Sequence, residues 1–490
     1  MYSSLRLWDK GWGHLRLATV LMSAGLSGAC SLAPKESMNP MPVPMAWKHA
    51  APAAGWVNAD QARAWSQGQW WLLFDDPVLH DLIQRVEVSN QTLKVAAANV
   101  AQAQALLRQQ RADLLPALGI QLGEQRAGGD NRATTRSANL GLNASWAPDL
   151  WGRVDAAVNT QSASVRAGEA DLAGARLSAQ ASLAQAYFAL READAEMALM
   201  DEIIAGYARS ATITQNRYEV GVVPRTDTLQ AQTALRNAQS TRVALQRSRS
   251  AYEHAIALLL GEAPAGLTLR VAPWVSTAPA VPAEVPSLLL LRRPDIASAE
   301  AAVTAANAQI GVARSAYFPS VSLTSGVGAS GSHLLDLVSA PSLLWSLGLA
   351  LAQSVFDGGA RDARVEQTLA ARDAAVARYR QSALTAMKEV EDQLNALATL
   401  AAQAEHVRAA AAAAERIEQQ MMNRYQSGLS AYTEVVTAQA SALTARRNLL
   451  QLQLQRQQAA VALIQALGGG WQMPWGAAVG VAGAARVEGR

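Results

Sequence analysis

The chain states one unit twice. Arg111 to Ile120 (RADLLPALGI) returns as Arg314 to Leu323 (RSAYFPSVSL), 203 positions later. Asn216 to Asp227 (NRYEVGVVPRTD) returns as Asn423 to Glu434 (NRYQSGLSAYTE), 207 positions later. In both copies a segment of alternating polarity is followed by about seventy residues without proline. Any fold for this chain must place two strand-bearing segments, each feeding a very long helix.

The strand segments are of a particular kind. Ser137 to Trp146 puts Leu140, Leu142, Ala144 and Trp146 on one face and Asn139, Gly141, Asn143 and Ser145 on the other. Trp345, Leu347, Leu349 and Leu351 alternate with Ser346, Gly348, Ala350 and Ala352. Weaker counterparts are Leu118, Ile120 and Leu122 in the first copy and Val321, Leu323 and Val327 in the second. Apolar-out, small-polar-in segments of about ten residues suit strands with lipid outside and water inside. A half-buried sheet would also alternate, but the duplicated set behind a secretion signal favours the membrane reading. The intervening stretches, about 124–136 and 329–341, hold Gly, Ser, Asn and Asp and read as exposed turns.

Four strands cannot close a barrel, and an open edge in lipid leaves backbone groups unpaired. Single-chain barrels start at about eight strands. Copies must therefore pool strands, giving roughly eight from a dimer, twelve from a trimer or sixteen from a tetramer.

Arg153 to Val223 contains no Pro, and Ala360 to Ser427 neither Gly nor Pro. At 1.5 Å per residue, about 65 residues span roughly 100 Å. Val365, Leu369, Val376, Tyr379, Ala383, Met387, Val390, Leu394 and Leu397 form a coiled-coil stripe, interrupted at Arg372. A net charge of +3 over 490 residues gives no nucleic-acid signal.

The N-terminus reads as a secretory signal over residues 1–29, with Arg6, Lys10 and Arg16 before the apolar Leu17 to Ala29. Cys30, the only cysteine, follows at once and cannot form an internal disulfide. Leu26-Ser27-Gly28-Ala29-Cys30 resembles a bacterial lipobox, which makes Cys30 a lipidation site, although Leu26 lies one place early. Acyl chains contribute about 0.8 kcal/mol per buried CH2, so several anchor stably to outer-membrane lipid.

The expected organisation follows. A lipid-anchored, proline-bearing segment covers 30–60, and the first repeat 61–263. That repeat holds strands at about 116–124 and 137–147 and helices at about 77–112, 153–218 and 226–261. A proline-rich linker, 264–286, leads to the second repeat, 287–467. Its strands fall at about 319–328 and 343–356, and its helices at about 294–315, 360–425 and 431–467. A flexible tail covers 468–490. The class is mainly α with a membrane β-barrel part.

Junction residues narrow the choice. Asp149-Leu150-Trp151-Gly152-Arg153 and Phe356-Asp357-Gly358-Gly359 carry strand into helix, and Arg292-Arg293-Pro294-Asp295-Ile296 opens the second repeat. With the lipobox and the two Arg-Tyr-x-x-Gly turns, these resemble the outer membrane efflux lipoproteins, TolC-like outer membrane factors of the NodT subfamily, over about residues 60–467.

The resemblance implies a homotrimer whose four strands per copy make one twelve-stranded barrel, continued by a hollow periplasmic α-barrel. It implies a passive duct served by a periplasmic adaptor and an inner-membrane pump. The turns at 217–227 and 424–434 would form the periplasmic tip, with adaptor contact at Gly221, Val222, Gly428 and Leu429. Asp227 and Glu434 would each form a ring of three carboxylates, able to attract cations and to pair with Arg217 or Arg424; the equal alternative is that, in the first turn of a helix, they are only macrodipole partners with no gating role. Tyr218 and Tyr425 are further gate candidates, and Thr437 stands where the family carries a second acid.

No enzyme, cofactor or metal is expected. The histidines are scattered and lack His-x-x-x-His spacing, and neither G-x-x-x-x-G-K-[ST] nor G-x-S-x-G occurs. A protein-secretion duct, or a lipid-anchored periplasmic coiled-coil scaffold without a channel, are the competing functions.

Overall fold

A computed structural model describes residues 32–34, 44–49, 68–130, 132–279, 281, 292–339 and 342–472. The signal segment, Cys30, most of 30–60, residues 280 and 282–286 of the linker and residues 473–490 of the tail lie outside the described residues. The chain divides into two compact units.

The first unit, built on Asn99–Glu169 and Ser298–Arg380, holds the sheet. Its strands are β1 (Ala117–Gly129), β2 (Arg132–Trp146), β3 (Ser320–Gly331) and β4 (Ser342–Ala352), antiparallel in the order β1-β2-β3-β4. The central β2–β3 pair joins the two repeats. Register sets the faces, because directly opposed residues share one side. Ile120 stands opposite Leu142, Leu142 opposite Val327, and Val327 opposite Trp345. Likewise Trp146 faces Leu323, and Leu323 faces Leu349. The other side carries the row Gly119, Asn143, Gly326 and Ser346, with Leu344 as the large exception. One face of the sheet is thus apolar and exposed.

Strand lengths depart from expectation. β1 and β2 run on into the stretch read as a turn, pairing Glu124 with Ala138 and Arg126 with Arg136. The polar side chains end the apolar alternation, but the backbone ladder does not depend on them. β4 stops at Ala352 rather than continuing to 356, because its partner β3 begins at Ser320, directly after Pro319, which has no N–H to give.

The strand-to-helix junctions are capped. Asp149 accepts from the Asp155 N–H at 2.7 Å, at the start of the long helix Arg153–Glu219. Asp357 accepts from the Gly359 N–H at 3.1 Å and the Arg361 N–H at 3.2 Å, ahead of the helix Ala360–Gln426. Trp151 stacks on Phe318 at 4.9 Å and donates to the Pro319 carbonyl. Residues 32–34 lie along the helix Pro294–Ser315: the Leu32 carbonyl accepts from Arg314 and the Pro34 carbonyl from Asn307. Gly311 makes the approach possible, since a Cβ there would meet the Ala33 nitrogen at 3.2 Å.

In chain order the helices are α1 (Pro77–Ser89), α2 (Gln91–Ala112), α3 (Arg153–Glu219), α4 (Arg225–Leu259), α5 (Pro294–Ser315), the single turn α6 (Asp336–Ser339), α7 (Ala360–Gln426) and α8 (Tyr432–Ala466). The single helix expected at 77–112 is two. Asn90 ends α1 in an extended conformation, accepts from the Leu93 N–H at 3.1 Å to cap α2, and donates to the Leu259 carbonyl. That local cap competes successfully with a continued helix.

The second unit holds most of the helical protein, within Ala170–Ala297 and Gln381–Arg490. Of the stripe on α7, Ala383, Val390 and Leu394 are buried, and Met387 and Leu397 are half-buried. Trp70 is enclosed and donates to Gln180. A buried network of Arg191, Asp194, Arg249 and Glu253 holds the linker: Arg191 donates to the Arg270 carbonyl at 2.8 Å, and Glu253 accepts from the Leu269 N–H at 2.6 Å. Arg293 forks onto Asp295 at 2.9 and 2.7 Å and reaches Glu389 and the Ala466 carbonyl at 2.7 and 3.0 Å.

Glu192 on α3 is buried, and its carboxyl is pushed up to about 7 by burial and then by Glu196, with Arg447 opposing. The folded state therefore holds this proton more tightly than the unfolded state. Its contribution falls as pH rises from about 4.5 to about 7 and is flat above. Glu192→Gln is expected to raise stability at pH 8 by on the order of 1–3 kcal/mol and to change nothing near pH 4.5. Melting curves of the two proteins at both pH values check this; an equal shift at both would contradict it.

Candidate functional site

Both hairpin tips lie in the second unit. Each long helix ends with the same hydrogen bonds. The Gly221 N–H donates to the Tyr218 carbonyl at 2.9 Å and the Val222 N–H to the Arg217 carbonyl at 2.8 Å. In the second repeat Gly428 donates to Tyr425 at 3.0 Å and Leu429 to Arg424 at 2.9 Å. These are Schellman closures, which need a left-handed residue. Gly221 and Gly428 both sit at φ 72°, and a Cβ on either would meet nothing within 4 Å. The glycines are therefore required by backbone conformation, not by crowding. Val222 and Leu429 are exposed beside them.

The returning helices start alike as well. Pro224 and Ala431 take extended conformations and make no side-chain cap. Asp227 and Glu434 fall in the first turns of α4 and α8, where the macrodipole favours a carboxylate.

Past this backbone symmetry the two copies part. Arg217 donates to the Tyr425 carbonyl at 2.7 Å and its guanidinium lies 4.7 Å from the centre of the Tyr425 ring. Tyr425 also meets Tyr432 edge-on at 5.1 Å. Tyr425 is 3% exposed, whereas its repeat counterpart Tyr218 is 39% exposed. Within one chain, among the described residues, Arg217 is directed to the Tyr425 carbonyl; the pairing of Asp227 or Glu434 with Arg217 or Arg424 is expected of the assembled trimer. Arg217 still acts on Asp227 through space: burial raises the Asp227 carboxyl and the Arg217 charge opposes the rise. Thr437 returns its hydroxyl to the Thr433 carbonyl at 2.9 Å and, with Glu434, Ile417 and Met421, lines an open groove of about 360 Å3 between α7 and α8.

Tyr432 is a core member of the tip that the motifs did not single out. It is 1% exposed and packs with Tyr425, Ala231 and Val435. Its phenol is pushed up to about 12 chiefly by burial. The available signal was a difference between copies: Tyr432 stands where the first repeat has Arg225.

The Tyr425 hydroxyl is buried without a hydrogen-bond partner among the described residues. Tyr425→Phe should therefore keep or raise thermal stability, by up to about 1–2 kcal/mol. Tyr425→Ala should lower it by about 3–5 kcal/mol through the cavity left. A loss from the Phe variant comparable to that from Ala, seen by thermal melting, would show that the hydroxyl itself holds the tip.

Comparison with known proteins places these features. The outer membrane efflux protein family model matches residues 82–262 and 285–469, one segment in each repeat. The chain is similar to the probable efflux pump outer membrane protein TtgC of Pseudomonas putida, 32% identical over 93% of this chain and 96% of that one. It is similar to the cation efflux system protein CusC of Escherichia coli, 32% identical over 93% of this chain and 99% of that one. Crystal structures of CusC superpose with a TM-score of 0.81 at 30% identity, covering 90% of this chain and all of that one. The chain, with its duplicated hairpins and four-stranded sheet, belongs to the outer membrane efflux protein family.

Proposed function

We propose that three copies of this chain form the outer-membrane exit duct of a tripartite efflux pump. They pool four strands each into a twelve-stranded barrel, and the paired long helices continue the duct into the periplasm. The observation that carries this reading is the sheet register, which aligns the apolar residues of all four strands on one exposed face. Among the described residues β1 and β4 each pair on one side only, and an open edge is untenable in lipid. Further copies supply the missing neighbours.

The duct is passive. The small-residue face of the sheet turns to water, and no bound group takes part in transport. A periplasmic adaptor docks on the tips around Gly221, Val222, Gly428 and Leu429, and an inner-membrane pump supplies the energy. Cys30 carries the lipid anchor. In support, Arg314 and Asn307 hold residues 32–34 on the same unit as the sheet.

Asp227 and Glu434 narrow the periplasmic entrance as rings of carboxylates. In planar bilayers the protein is expected to form a steady, cation-preferring conductance. Asp227→Ala with Glu434→Ala is expected to raise that conductance and weaken the cation preference. Unchanged conductance and selectivity would reduce both residues to helix-start partners. Absence of any conductance from correctly folded protein would favour a coiled-coil scaffold over a duct.

A further inference from the structure

The two hairpins differ in what fills the groove between their helices. In the first repeat, Ser210, Thr214 and Ala231 are buried in a tip core with Tyr432 and Val435, brought in by α8. The 207-residue shift maps these three positions onto Ile417, Met421 and Ala438. They line the open groove of about 360 Å3, and Ile417 is exposed.

The same shift identifies a helix face with nothing against it. Tyr432 and Gln439, both buried on α8, correspond to Arg225 and Gln232 on α4, both exposed. Val436, partly buried in the tip core, corresponds to Leu229, also exposed. One groove and one face are thus left over, and each is the counterpart of a partner already joined inside the chain.

Their chemistry is complementary. Inside the chain, Tyr432 stands near enough to Asp227 for that charge to add to the effect of burial on the phenol. The counterpart of Tyr432 is the cation Arg225, and the counterpart of Asp227 is the acid Glu434. Ser210 and Thr214, which offer hydroxyls, are replaced by Ile417 and Met421, and these suit the apolar Leu229. A groove on one repeat and a face on the other are not self-complementary. Copies joined this way add head to tail, the kind of contact from which a closed ring such as a trimer is built.

We infer that the α7–α8 groove of each protomer receives α4 of the next, with the partner's Leu229 against Ile417 and Met421 and the partner's Arg225 paired with Glu434. Arg424 then meets the partner's Tyr218 as Arg217 meets Tyr425 within the chain. Each tip contact is made once inside a protomer and once between protomers. The inference rests on the trimeric duct reading, which by itself does not specify these pairs.

The test uses the full-length protein in outer membranes. Arg225→Cys and Glu434→Cys are combined and treated with a short, reducible thiol-specific cross-linker, since an Arg–Glu pair lies beyond a direct disulfide. The expected result on a denaturing gel is covalent species of two and three chains, reversed by reductant and missing from each single variant. If the uncross-linked protein has a trimeric native mass but the double variant stays at single-chain mass, the pairing is overturned and the trimer stands. If the native mass is monomeric, both fall. A charge exchange gives a second readout. Arg225→Glu and Glu434→Arg should each lower the heat resistance of the trimer, and the combined variant should restore it; failure to restore it counts against the pair.

Discussion

Replacing Arg293 with alanine is expected to destabilise the helical unit by about 1.5–3 kcal/mol, because charge-assisted hydrogen bonds from a mostly buried guanidinium are lost while Asp295 and Glu389 stay about half exposed. Arg293 is the second arginine of the Arg-Arg-Pro-Asp-Ile segment, and its side chain is 10% exposed. One guanidinium satisfies four acceptors: both oxygens of Asp295, the Glu389 carboxylate on α7 and the Ala466 carbonyl at the end of α8. It thus ties the start of α5 to two other helices. Truncation leaves Ala466 without its donor and Glu389 without its cation. Arg293→Lys should recover only part of the loss, because an ammonium cannot reproduce the bidentate fork on Asp295. Thermal melting of the detergent-extracted protein, followed by helical circular dichroism, checks the order wild type, Lys, Ala. An alanine variant within experimental scatter of the parent would mean that the three helices are held by packing alone.

The second large effect concerns the sheet. Leu142 lies in the row Ile120, Leu142, Val327 and Trp345, at the middle of the apolar face. If that face meets lipid, Leu142→Arg costs about 2–4 kcal/mol per chain near the bilayer midplane. The cost is incurred in every copy of an assembled barrel. Asn143→Arg, one residue away on the opposite face, should be tolerated and should change conductance instead. The readout is the fraction of heat-resistant trimer recovered from outer membranes. Equal recovery of the two variants would contradict the assignment of faces.

Much of this architecture was legible because it repeats. The proline-free runs marked α3 and α7, and the alternation at Leu140 to Trp146 marked the apolar face of β2. What stayed hidden depends on partners far along the chain. The break at Asn90 is invisible locally, since the helical pattern continues across it; the donor acceptance at Leu259 that favours it is 169 positions away. The charged ends of β1 and β2 looked like loop because polarity, not backbone pairing, was the visible signal. The tip is the clearest case. Arg217-Tyr218 and Arg424-Tyr425 read identically, yet only Tyr425 is buried, since the chain supplies a neighbour on one side alone. No reading of a single copy distinguishes them; the difference arises when one repeat packs against the other.

The measurement that bears most directly on the trimeric duct is the native mass of the protein extracted from outer membranes in mild detergent, with bound detergent subtracted. Three chains per particle is the predicted result, since three complete the proposed twelve strands. A stable single-chain particle, its apolar sheet face still exposed, would contradict the account and leave β1 and β4 as true edges.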